Sequence, residues 1–267
     1  MIEATAPYAL PPSSQRESVP VTKPFLIIQL RPEDAAADSE FQAMLRYGSL
    51  REDEVVRARV ERNGLPEIDL NDYTAIIVGG SPFDVSTPED SKRDIQKKIE
   101  TDFMNLFERI VASDFPFLGA CSGNGLLGKF CGARISTKYA EPVGGADIVL
   151  TRAGTRDPLL RGLPHTFRVL LGHKEACEDT PPGTVLLARS EACPVQMFRL
   201  KNNIYATQFH PEADLEGFTV RINVYKDYGY FAPETAQDLI AAVANEQTPE
   251  AKQILDRFVR RYRSRET

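Results

Sequence analysis

The stretch GACSGNG, residues 119–125, sets one thiol among small residues between the apolar run FPFLGA and the run LLGKF. A cysteine nucleophile needs help to lose its proton, and the N-terminal end of a helix offers a positive field for the thiolate. Gly119, Ser122, Gly123 and Gly125 permit the sharp strand-to-helix turn that lifts a side chain above a sheet edge. The same letters suit a buried small thiol in a glycine-rich turn, and this segment alone leaves both readings open. A base must come from three histidines, His165, His173 and His210. His210 ends the alternating run NIYATQFHPE; Glu212 stands two residues on, with Pro211 stiffening the backbone between them. A carboxylate there can hold one imidazole nitrogen and turn the other toward the thiol, completing a set of nucleophile, base and acid. A surface histidine in a turn is the alternative. The oxyanion of a tetrahedral species needs N–H donors already in place. VGGSPFDVS, residues 78–86, closes another apolar run, so the N–H groups of Gly80 and Ser122 are the candidate donors. A tight turn before a helix would use the same residues.

These residues need a sheet to hold them. FLIIQL (25–30), YTAIIVGG (73–80) and FPFLGA (115–120) are short and apolar on both faces, as expected of parallel strands covered by helices. Between the last two, residues 86–111 predict a crossover helix. Ser86 or Thr87 would cap it, Pro88 would sit in the first turn, Glu89 and Asp90 would meet the positive end of the dipole, and Ile95, Ile99, Leu106 and Ile110 would form the buried stripe. The runs ADIVL, TFRVLLG, TVLLA, VQMFRL and NIYATQF follow at short intervals with Pro, Gly and Asp turns between them, which predicts antiparallel neighbours. Beyond His210 two helices are expected, APETAQDLIAAVANE and TPEAKQILDRFVRRYR, the second capped by Thr248. The expected organisation is one α/β domain over residues 24–267, with 213–267 as a helical extension. Residues 1–23, rich in Pro, Ser and Ala, read as a disordered or loosely docked extension.

The chain has 267 residues, 42% of them hydrophobic, enough for a sizeable core without staples. A net charge of −6 argues against a nucleic-acid-binding domain, and the basic cluster RFVRRYRSR (257–265) reads as the solvated face of a last helix. No apolar run approaches the roughly 20 residues of a membrane helix, and the N-terminus lacks a basic segment followed by an apolar one. The expectation is a cytoplasmic protein with no membrane partner. Four cysteines without a Cys-x-x-Cys pair make neither a disulfide framework nor a zinc site, so Cys131, Cys177 and Cys193 are expected to be structural thiols. No metal and no cofactor are expected.

The Gly-Gly loop near residue 80, the Gly-x-Cys-x-Gly elbow at 119–123 and QFHPE at 208–212, in that order, resemble the class I glutamine amidotransferases. The likeness is greatest to the amidotransferase domain of GMP synthetase and its free-standing relatives. It covers roughly residues 24–215, including CEDTPPGTVLLARSEACPVQMFRL (177–200). The resemblance implies a flavodoxin-like three-layer fold with a mostly parallel sheet and a Cys121, His210 and Glu212 triad. It also implies attack by Cys121 on the side-chain amide of glutamine, or on another γ-glutamyl carbonyl, giving a thioester that water hydrolyses. Two features depart from the family. The family's elbow usually continues with a glutamine that helps hold the substrate, and here that position is Gly125; His173 and Glu175, in GHKEAC, are the candidate replacements for substrate binding. Only about 50 residues follow Glu212 and no Walker-type loop is present, so ammonia would pass to a separate synthetase or be released. A γ-glutamyl hydrolase or peptidase using the same triad, its pocket made roomier by Gly125, is the alternative enzyme. A catalytically silent binding or regulatory protein is the alternative outside enzymes.

Overall fold

The computed structural model describes residues 23–229 and 231–263. Except for Lys23, the expected N-terminal extension lies outside the described residues. In chain order the elements are β1 (Phe25–Gln29), α1 (Asp34–Gly48), β2 (Val55–Arg59), a single turn α2 (Val60–Asn63), β3 (Ala75–Val78), α3 (Asp94–Ser113), β4 (Phe117–Ala120) and α4 (Ser122–Phe130). They are followed by β5 (Ile135–Ser136), β6 (Glu141–Leu150), β7 (Thr166–His173), β8 (Ala176–Cys177), β9 (Thr184–Arg189), β10 (Met197–Leu200) and β11 (Ile204–Thr207). Three helices close the chain: α5 (Leu215–Tyr225), α6 (Ala236–Ala244) and α7 (Pro249–Tyr262).

The main sheet has the order β2-β1-β3-β4-β11-β10-β9-β6-β7. Its first five strands pair in parallel, and β10, β9, β6 and β7 continue it antiparallel. The central strands are buried on both faces because both are covered. Leu26, Ile28, Ile76 and Phe117 pack with Ile99, Phe103, Leu106 and Phe107 of α3 and Leu127 of α4. Phe25, Ile27, Ile77 and Leu118, one residue out of phase on the same strands, pack with Met44 of α1 and Leu255, Phe258 and Val259 of α7. The architecture is therefore the three-layer α/β sandwich expected, with its antiparallel strands in the second half.

Two expectations need correction. The crossover helix begins at Asp94, later than Pro88, because Lys92 is extended and turns inward, pairing with Glu100 Oε2 at 2.6 Å. Glu89–Ser91 form only a short 3-10 turn before it. Among the described residues, the segment after His210 holds three α-helices where two were expected. The additional one, α5, is rich in β-branched residues, and Asp214 caps it by accepting the Gly217 N–H at 2.8 Å. Thr248 does precede α7, but its side chain makes no capping bond.

Candidate active site

Three adjacent parallel strands, β3, β4 and β11, deliver the Gly79–Gly80 loop, Cys121 and His210 to one sheet edge. Cys121 is the residue where β4 turns into α4, with φ 53° and ψ −96°, a backbone conformation unusual for a non-glycine residue. Its N–H donates to Thr207 O at the end of β11, and its carbonyl accepts from Asn124 and Gly125 N–H. The turn is tight enough that a Cβ on Gly119 would lie 2.8 Å from the Gly123 carbonyl carbon. Glycine at 119 therefore lets the first turn of α4 sit directly on β4.

The protonation states follow from enclosure. The helix field was expected to lower the Cys121 thiol. Instead burial pushes it up to about 12, outweighing the pull of Arg31 and Arg221, while Glu175 and Glu212 push it further up. The resting group is a neutral thiol. Burial also holds the His210 imidazole below its ordinary value; Arg221 and Arg31 add to this and Glu212 opposes it, so His210 rests neutral and able to accept a proton. His210 Nδ1 bonds Glu212 Oε1 at 2.9 Å. Burial alone would raise the Glu212 carboxyl, but His210 and Arg221 hold it well below the usual carboxylate range, the Arg221 Nη2–Oε1 distance being 2.7 Å. Cys121 and His210 line a common cleft.

Behind this trio lies a buried charge network that sequence reading missed. Glu40, fully buried on α1, accepts from Gln29 Nε2 at 3.1 Å and Arg31 Nε at 2.7 Å, and stands 3.7 Å from Arg221 Nη2. Glu40 Oε1, the oxygen that takes Arg31, also accepts the Gly80 N–H at 3.2 Å, so the expected first oxyanion donor is engaged by Glu40 in this arrangement. Ser122 N–H stands in the first turn of α4, where no intrahelical acceptor exists. A Cβ on Gly80 would lie 2.6 Å from Arg31 Nη2 and 2.7 Å from His210 Cε1, which brings the guanidinium and the imidazole together at this loop. Glu40, His210 and Glu212 hold metal-type ligand atoms within 4.8 Å of one another, but the guanidinium groups of Arg31 and Arg221 already serve the carboxylates. A sequence signal existed: Glu40 interrupts the apolar face formed by Ala36, Ala37, Phe41 and Met44.

The expected substrate-binding residues line a cleft together with the thiol. Glu175 accepts Val85 N–H at 2.6 Å and Ser86 N–H at 2.7 Å, pinning the loop after β3. Burial raises its carboxyl, and the contacts from Ser86 and Val85 oppose the rise. Glu175 Oε1 and Val85 Cγ2 each lie 3.5 Å from where a Gly125 Cβ would be, so both border the space beside Gly125. His173 does not offer a free ring nitrogen. Nδ1 bonds Glu175 O at 2.9 Å and Nε2 bonds Glu141 Oε2 at 2.9 Å, bracing the loop from beneath. Cys177 and Cys193 are buried and Cys131 is half-buried; all are unpaired. Among the described residues no helix is long and apolar enough to cross a membrane.

A thiol at a strand-to-helix elbow, with an imidazole and carboxylate on the neighbouring strand end, defines an α/β site suited to acyl transfer through a cysteine. The model of the class-I glutamine amidotransferases matches residues 36–222, and the chain belongs to that family. It is 33% identical to a glutamine-hydrolyzing GMP synthase subunit of Sulfurisphaera tokodaii over 54% of this chain and 69% of that one. It is 36% identical to the corresponding GMP synthase subunit of Thermococcus kodakarensis over 36% of this chain and 50% of that one. A solved glutamine amidotransferase from Thermotoga maritima has the same fold, with a TM-score of 0.66 at 21% identity over 89% of this chain and 98% of that one.

Proposed function

We propose that the chain is a glutamine amidotransferase-type amide hydrolase in which Cys121 is the nucleophile, His210 the general base and acid, and Glu212 the orienting carboxylate. The observation that carries this reading is the His210–Glu212 bond of 2.9 Å beside the Cys121 elbow, with the imidazole kept neutral. His210 takes the thiol proton as sulfur attacks the γ-carbonyl of glutamine, then gives it to the departing nitrogen, leaving a γ-glutamyl thioester. Water, deprotonated by His210, cleaves that thioester to glutamate and restores the thiol. Ser122 N–H is the oxyanion donor in this scheme; Gly80 N–H joins it once Glu40 releases it. Gly125, Glu175 and the His173-braced loop form the side that receives the amino-acid end of the substrate, where a carboxylate suits an ammonium.

The relatives' description as one subunit of a GMP synthase supports a separate synthetase as the ammonia acceptor. Ammonia release from glutamine, compared between the native chain and Cys121→Ala, tests the reading. Release by the native chain and loss in the variant, with an unchanged melting curve, is expected; release undiminished in Cys121→Ala refutes the nucleophile, and none from the native chain refutes glutamine as substrate.

A further inference from the structure

Cys121 and Ser81 line two clefts, not one. The first runs toward Gly125, Lys174, Glu175 and Gln208 and is the more polar of the two. The second shares Cys121 and Ser81 with it and lies against α5. Its apolar walls are Val143, Phe218, Ile222, Tyr225 and Phe231, and Arg31 and Arg221 also line it. Phe218, Ile222 and Tyr225 share one face of α5, whose Glu216 and Asn223 are exposed on the other side. His210 lines this second cleft and stands 5.9 Å, ring to ring, from Phe218.

The placement of His210 orients any amide attacked at Cys121. The group that protonates the leaving nitrogen must face it, so the leaving amine points into the apolar cleft and the acyl part into the polar one. Ammonia requires no space beyond its own volume, and water gains little from apolar walls. Among the described residues the formal charges bordering the cleft balance, Arg31 with Glu40 and Arg221 with Glu212, although Arg221 Nε and Nη1 have no hydrogen-bond partner. The walls therefore suit an uncharged apolar body attached to the leaving nitrogen.

We propose that this second cleft is a leaving-group subsite, and that the substrates of the chain include γ-glutamyl amides of uncharged apolar amines, arylalkyl or branched alkyl. The inference rests on Cys121 being the nucleophile. In the step it describes, a C–S bond forms at the γ-carbonyl carbon as the amide C–N bond breaks. The proton taken from the thiol passes through His210 to nitrogen, and the neutral amine leaves. Water then replaces sulfur on the acyl carbon, giving glutamate and the free thiol.

The test compares glutamine, γ-glutamylphenethylamide and γ-glutamylphenylalanine as substrates of the full chain, with released amine and glutamate quantified. The last two differ by one carboxylate in the leaving group. A kcat/KM for the phenethylamide at least tenfold above those of glutamine and γ-glutamylphenylalanine is expected. Val143→Trp fills the cleft from a part-exposed strand position, and Phe231→Ala removes a wall from a part-exposed loop position. Each should lower the ratio of phenethylamide to glutamine kcat/KM, the first at least tenfold. Hydrolysis of the phenethylamide without hydrolysis of glutamine supports the subsite. Glutamine preferred over both amides, or a ratio unmoved by both variants, overturns the subsite and leaves the nucleophile standing. No turnover of any of the three overturns the nucleophile and the subsite together.

Discussion

Gly119→Ala places a methyl group against backbone that cannot swing away. The new carbon would lie 2.8 Å from the carbonyl carbon of Gly123, 2.9 Å from its Cα and 2.9 Å from its oxygen, all in the first turn of α4. Carbon contacts relax only near about 3.5 Å, so the turn must retreat by more than about half an ångström. That turn carries Ser122 N–H and anchors Cys121, whose carbonyl accepts from Asn124 and Gly125. Overpacking of this kind costs about 1–3 kcal/mol. For a chain of this size each kcal/mol lowers Tm by about 2–4 °C. The catalytic loss should be larger than the stability loss suggests, because displacing reacting groups by about 1 Å can cost about 100-fold in rate. Differential scanning calorimetry and ammonia release at saturating glutamine measure the two effects. A variant that melts several degrees lower and turns over at least tenfold more slowly agrees with the account. Native turnover with native Tm would show that the Gly119–Gly123 contact does not set the elbow.

The remaining predictions concern charge and the loop. Arg221→Leu strips Glu212 of its 2.7 Å partner and leaves a buried carboxylate facing only His210, which should cost about 3–5 kcal/mol in denaturant unfolding. It also removes a charge that depresses His210, so the acid limb of kcat/KM should move to higher pH; an unmoved limb would exclude this coupling. In the native chain His210 is depressed below 6.5, so that limb should fall below pH 6.5, and no alkaline limb from Cys121 should appear before about 12. Stability has the same sign. Below pH 6.5 the unfolded chain takes up a proton at His210 that the folded chain resists, and below 4.5 it takes up another at Glu212; unfolding free energy should therefore drop on acidification through both ranges. A midpoint of urea unfolding that does not change between pH 7.5 and 5.5 would contradict the His210 part. Glu175→Ala frees the Val85 and Ser86 N–H groups, and KM for glutamine should rise more than kcat falls; an unchanged KM would place the substrate elsewhere.

Much of this arrangement was legible because it is local. Apolar runs ending in Gly or turn residues marked β1, β3 and β4, and the alternating NIYATQF marked β11, so the elbow and the His210–Glu212 pair could be assigned to strand ends from the letters alone. The less visible parts depend on distant pairings. Glu40 gives no local hint that it would take the Gly80 N–H, since the two are brought together only when α1 packs beside the β3 loop. α5 carries Thr219, Val220, Ile222 and Val224, which weaken any helix signal, and it forms against Leu170 and α6 through tertiary packing. Lys92 pairs with Glu100 eight residues on, and that pairing displaced the start of α3 from the proline that otherwise marks it. That Glu175 borders Gly125 was not legible, because its segment arrives from fifty residues downstream.

The central claim is that Cys121 alone among four thiols is the nucleophile, activated by His210. Treatment with a glutamine-derived diazoketone, followed by peptide mapping and residual-activity assay, tests it most directly. One adduct is expected, on Cys121, forming in proportion to lost activity and at least tenfold more slowly in His210→Ala. An adduct shared with half-buried Cys131, or full activity retained after Cys121 is modified, would contradict it.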